Sequence, residues 1–154
     1  MCSGGDKEYD FNLEHVDDNE MLARIVFSPS MVVDGRLSPS AFNLARLKSG
    51  RYEKYVSVIR KGTEEIDKKD YEYIKPLIEG DVMDGFALVK TADVRSIVFE
   101  NITIEVKPKP SEKNPRHAGI FYSQDGTLIR GESEPEELLI VTSMLANKCS
   151  YHKF

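Results

Sequence analysis

Short apolar runs and clean alternation dominate this chain, and they predict more strand than helix. LARIVF (22–27) is a run of strand length, rich in branched and aromatic residues, with Arg24 inside it. YVSVIR (55–60) and FALVKT (86–91) read the same way. In ITIEVK (102–107), Ile102, Ile104 and Val106 fall to one side and Thr103, Glu105 and Lys107 to the other, the pattern of a strand with one wet face. His117 opens HAGIFY, which Asp125-Gly126 turns back into TLIRG as a hairpin. Asp34-Gly35 predicts another tight turn after Met31-Val32-Val33.

Helical signals are fewer. Thr63 is a good N-cap, with Glu64 and Glu65 where the helix dipole favours acids. Ile66, Tyr73, Ile74 and Leu77 then mark an apolar face, so a helix is expected over 64–75, ending before Pro76. The segment 136–148, EELLIVTSMLANK, is the strongest helical pattern, with a capping box from Ser133 to Glu136 and Leu138, Val141, Met144 and Leu145 on one face. Ser38-Pro39 is expected to cap a short helix over 40–47, and 91–96 a single turn. Three prolines and several charges make 108–115 a surface loop.

Together these predict a single α+β domain: a small mixed or antiparallel sheet of about four to six strands with two main helices. Residues 21–148 form that domain, between an acidic, partly disordered N-terminal arm (1–20) and a C-terminal tail (149–154). No internal repeat or dividing linker interrupts it.

Charge changes the picture only at one end. The chain of 154 residues carries a net −5, but residues 1–20 hold seven acids against Lys7, leaving the body about +1. A body this balanced exerts no long-range attraction on nucleic acid or membrane. The two cysteines, Cys2 and Cys149, are too few for a disulfide framework, although a bridge between the termini is conceivable. MCSGG resembles a trimmed lipoprotein start, but no apolar stretch precedes Cys2, so a cytoplasmic location is expected. Nothing approaches the ~20 apolar residues of a membrane span.

Candidate chemistry is sparse. No G-x-S-x-G elbow, P-loop or G-x-G-x-x-G occurs. Among the possible bases His15, His117 and His152, His117 stands where a loop meets a strand, a place where side chains often face a cleft; it could equally satisfy the backbone of the Pro-rich loop. Cys149 and His152 lie three apart, but two donors do not make a zinc site, and no metal or cofactor is expected. Arg24, Arg36, Arg60 and Arg116 could converge on an anion. Arg24 is the most unusual of these, since an apolar strand must turn one face to something polar to keep it, or pair it with an acid such as Glu20. Residues 46–61 carry six Lys or Arg with Tyr52 and Tyr55 interleaved, a composition that suits either a solvated loop or contact with single-stranded nucleic acid.

The order V-V-D-G-R-L-S-P-S-A-F, then Y-V-S-V-I-R, then N-P-R-H-A-G-I resembles small bacterial proteins with a D-G-x-x-S-x-x-x-F segment, an S-V strand and a P-x-H-A element. The resemblance spans 22–122 and implies that Asp34, Gly35, Phe42, Ser57 and His117 belong to one layout, without naming an activity. The basic insert at 46–54 departs from it.

The absence of any complete motif, and an acidic arm on a neutral body, point first to a non-enzymatic interaction or accessory module of a bacterial multi-protein system, with an unidentified protein partner. The rival is an enzyme acting on a nucleotide or another phosphorylated small molecule, its catalytic site built from Arg24, Ser57, Arg60 and His117. Single-stranded nucleic-acid binding through 46–61 is the third reading.

Overall fold

The computed structural model describes residues 11–154. The expectations of disorder over the first ten residues, and of a bridge or lipid at Cys2, lie outside them. Among the described residues ten strands form: β1 (Met21–Ser28), β2 (Val32–Val33), β3 (Arg36–Leu37), β4 (Val56–Lys61), β5 (Val82–Lys90), β6 (Val98–Phe99), β7 (Ile102–Pro108), β8 (His117–Gln124), β9 (Thr127–Leu128) and β10 (Ser150–Lys153). Eight of them make one sheet in the order β10-β5-β1-β4-β8-β7-β6, with β9 attached to β8. β2 and β3 form a separate ribbon through Asp34-Gly35, both at positive φ. Every strand pairing is antiparallel. The α+β expectation holds, but the sheet is larger than four to six strands and dominates the fold.

Among the described residues there are two α-helices, α1 (Thr91–Arg95) and α2 (Leu138–Lys148), of which α2 is the longer. α2 buries Leu138, Val141 and Leu145 of the expected face, together with Thr142 and Ala146, while Met144 is partly buried against the same core. It starts at Leu138 behind Glu137 with no side-chain cap, so the capping box from Ser133 does not form; Ser133 sits in a preceding 3₁₀ turn. The expected helix over 40–47 shrinks to a 3₁₀ turn, Pro39–Phe42, capped by Ser38 as its sequence suggests.

The expected helix over 64–75 is absent. That segment holds one 3₁₀ turn, Lys68–Tyr71, capped by the Asp67 carboxylate. Its buried residues are Ile66 and Tyr71, whereas Tyr73 and Leu77 stay exposed. Five positions apart, Ile66 and Tyr71 do not share a helical face, and an extended path lets both reach the sheet. Packing against a broad surface overrides a weak local propensity here.

Two apolar cores sandwich the sheet. On the first face, Leu22, Val56, Val58, Ile120 and Tyr122 pack with Val141 and Leu145 of α2. On the second, Ala23, Ile25, Phe27 and Ile59 pack with Ile66 and Tyr71 of the segment that crosses from β4 to β5. The candidate site lies on this second face.

The C-terminal residues and the described part of the N-terminal arm both pack on the sheet. Residues 149–154, expected as a tail, supply β10, which pairs with β5 from Leu88 to Gly85 and stacks His152 on Phe86 at 5.2 Å. In the arm, Val16 is fully buried in the first core. Arg60, also fully buried, ties the arm down. Its Nε and Nη2 donate to the Glu20 carboxylate at 2.7 and 2.8 Å, while Nη1 reaches Asn12 O and Nη2 also reaches His15 O.

Candidate functional site: an electropositive pocket on the sheet

β1 and β4 pair only over Met21–Ala23 against Ile59–Lys61, and then part. The opening strands backbone carbonyls, and Arg24 fills it. Its Nε donates to Ala41 O at 2.8 Å and its Nη1 to Ser57 O at 2.9 Å. That accounts for an arginine inside an apolar strand: a planar fork of donors replaces missing strand pairing. Burial lowers the Arg24 pKa, while the nearby Glu53 carboxylate opposes that shift. Glu53 is pushed upward by burial, against the pull of Arg24 and of the Ala45 amide that donates to it.

Beyond the opening lies a cavity of about 590 Å³. Ala23, Ile25, Ser57 and Ile59 floor it, Tyr73 and Ile74 of the crossing segment cover it, and the loop between β7 and β8 walls it with Lys109, Ser111 and Asn114. His117 stands at the end of that loop. Its Nδ1 lies 2.8 Å from Lys109 O. A carbonyl only accepts, so Nδ1 carries the proton and Nε2 of the neutral ring is left as an acceptor. The Lys109 amide donates back to His117 O at 2.8 Å, which fastens the loop at its base.

The loop has its own internal support. Asn114 is buried; its carbonyl accepts from the Ser111 and His117 amides, its Oδ1 accepts from the Arg116 amide, and its side chain bonds the Tyr73 hydroxyl. An Arg116–Glu64 ion pair joins the loop to the crossing segment a second time. Tyr55 forms the remaining wall, with its ring 5.9 Å from that of His117 and 4.9 Å from that of Phe121. Gly119 makes this packing possible, because a Cβ there would come within 2.7 Å of the Tyr55 ring. The Lys109 ammonium lies 5.5 Å from the same ring.

The structure therefore brings Arg24, Ser57 and His117 to one pocket and keeps Arg60 out of it. Alternation along β4 explains the split, since Ser57 and Ile59 face the pocket while Val58 and Arg60 face the first core and the arm. Lys109, Asn114 and Tyr73 complete the lining but carried no signal of their own; their residue types read as an ordinary charged loop and a helix face. Among the described residues, the charged side chains that line the pocket are Arg24 and Lys109, and no carboxylate joins them.

The other sequence candidates lie elsewhere. His15 faces solvent beside Asp17. The Cys149 thiol donates to Leu145 O, and burial raises its pKa to about 12, while His152 contacts Ser150 and Phe86. Within 46–61, Arg60 is buried, Tyr55 belongs to the pocket wall, and Tyr52 packs closely on Gly131.

What the fold and pocket define is a sheet-dominated α+β domain with a partly enclosed, cationic cavity on one face of the sheet. No protein-family model, curated protein or solved structure matches the chain. Among the described residues, no helix is long and apolar enough to cross a membrane.

Proposed function

We propose that this domain binds a small anionic molecule, a phosphate ester or a carboxylate, in the pocket formed by Arg24, Ser57, Lys109 and His117. One observation carries the reading: three groups able to donate to an anion, Arg24, Ser57 and Lys109, line a cavity that no acid lines. At about 590 Å³ the cavity suits a small-molecule ligand, for which ~300–1,000 Å³ is usual. Its aromatic and aliphatic walls lower the local dielectric on the sheet side and strengthen the attraction of an anion to the buried Arg24 charge.

This reading favours small-molecule recognition over the protein-interaction module that the sequence put first. It adopts the anion-handling part of the enzyme alternative, with Arg60 removed from the site. Turnover is a second reading, favoured by the His117 tautomer: with Nδ1 held on Lys109 O, Nε2 is free to accept a proton from water or from a hydroxyl. Nucleic-acid binding through 46–61 has less support, since Arg60, Tyr52 and Tyr55 are engaged within the fold. The free Cys149 thiol fits the reducing cytoplasm expected from composition.

Calorimetric titration with phenyl phosphate tests the reading. Binding is expected to weaken about tenfold in Lys109→Ala, equivalent to ~1.4 kcal/mol, and to weaken with salt. Equal affinity in the wild type and Lys109→Ala would overturn it. Release of phosphate, abolished by His117→Gln with binding retained, would establish turnover.

A further inference from the structure

A second cavity of about 460 Å³ adjoins the first, and Arg24, Phe27, Ser57 and Ile74 line both. Arg24 and Ile74 thus stand on the boundary that the two cavities share. The two cavities differ in chemistry. The far compartment is walled by Met31, Leu44, Leu47, Leu77 and Ile78. Its acids are already engaged: Asp81 accepts from the Ser30 amide and hydroxyl, and Glu53 accepts from the Ala45 amide beside Arg24. Its remaining cations, Arg46 and Lys75, are exposed residues. The larger part of its lining is therefore apolar, with Asn43 and the serines as its neutral polar groups.

Leu77 and Ile78, 40% and 56% exposed, stand at its mouth. They belong to the crossing segment, which forms no regular structure beyond its one 3₁₀ turn, and much of their apolar surface is open to solvent. A chain seated in the compartment would cover it.

From this juxtaposition we infer that the ligand is amphiphilic: an aliphatic chain bearing a terminal phosphate or carboxylate. The anion sits with Lys109, the chain passes Ser57 and Arg24, and its apolar end lies against Leu44, Leu47, Leu77 and Ile78. This rests on the anion-binding reading above and adds the class of ligand to it. A purely polar anion such as a sugar phosphate would leave the second compartment without a complementary group. A neutral aliphatic chain would leave the Arg24–Lys109 end unmatched.

The test is a titration of the full chain with butyl, octyl and dodecyl phosphate, with butyrate, octanoate and dodecanoate, and with octanol. Burial of a methylene is expected to tighten binding by about threefold to fourfold, so affinity should climb steeply from butyl to octyl until the chain outgrows the compartment. Whichever series binds tighter identifies the head group. Leu77→Gln with Ile78→Gln alters exposed positions and keeps charge constant; it should flatten the dependence on chain length. If phenyl and butyl phosphate bind in a Lys109-dependent way with no gain from octyl, the amphiphile inference is overturned and the anion reading survives. If octanol binds as tightly as octyl phosphate, the anion reading fails and the apolar compartment alone stands. If nothing in either series binds, both are overturned.

Discussion

Arg60 and Glu20 form a two-pronged ion pair forty positions apart in sequence, with Nε–Oε1 at 2.7 Å and Nη2–Oε2 at 2.8 Å. The same Glu20 accepts from the Asp17 amide through its carboxylate and from Thr91 through its backbone carbonyl. One arginine on β4 thus joins the arm to the sheet, and Glu20 carries the connection on to α1.

Removing Arg60 should be costly. Arg60→Ala leaves the Glu20 carboxylate without its cation and the Asn12 and His15 carbonyls without their donor. Breaking a buried pair from one side costs about 3–5 kcal/mol. Urea denaturation should show a loss in that range. Binding of phenyl phosphate by the protein that remains folded should be unchanged, because Arg60 does not line the pocket.

Arg24→Met should affect both properties. The Ala41 and Ser57 carbonyls lose their donor, at about 1–3 kcal/mol. Binding of phenyl phosphate should weaken as well, which separates this arginine from Arg60 in the same pair of assays.

Glu53 gives the stability a definite dependence on pH. Burial raises its pKa in the fold above the ordinary carboxylate value, so between those two pH values the folded chain holds a proton that the unfolded chain has released. Stability then falls as pH rises through that window and levels off above it. Glu53→Gln should remove this contribution. The difference in unfolding free energy, variant minus wild type, should be more positive at pH 7 than at pH 4; a difference independent of pH would contradict the burial argument.

Cys149 should be chemically quiet. With its pKa raised to about 12 by burial, almost none of it is thiolate at pH 8. In a Cys2→Ser background, reaction with a disulfide reagent should be slow in the native protein and fast in urea.

Removing residues 150–154 should destabilise the sheet. β5 would lose a paired strand, Phe86 would lose the rings of His152 and Phe154, and Asp84 would lose the Tyr151 hydroxyl. The thermal midpoint should drop, and dye binding to the exposed β5 edge should rise.

Sequence alone determined the strands whose period or composition is unambiguous. The run at 22–27, the alternation at 102–107 and the hairpin from His117 all appear where expected: at 102–107 a two-residue period with one buried face fixes the strand, and at 22–27 and 117–122 short apolar runs bury both faces of theirs. It also determined α2, whose apolar face is long enough to specify a helix without help. Tertiary structure decided the rest. The segment 64–75 yields to a sheet face that takes Ile66 and Tyr71 together, and CSYHKF becomes a strand because β5 offers an unpaired edge. For the candidate site, the sequence supplied Arg24, Ser57 and His117 as separate suspicions. Which residues meet depends on facing. Strand alternation turns Ser57 into the cavity and Arg60 away from it, and the parting of β1 from β4 draws Arg24 to the line between two compartments. Those are relations between strands distant in sequence, and no single stretch of the chain encodes them.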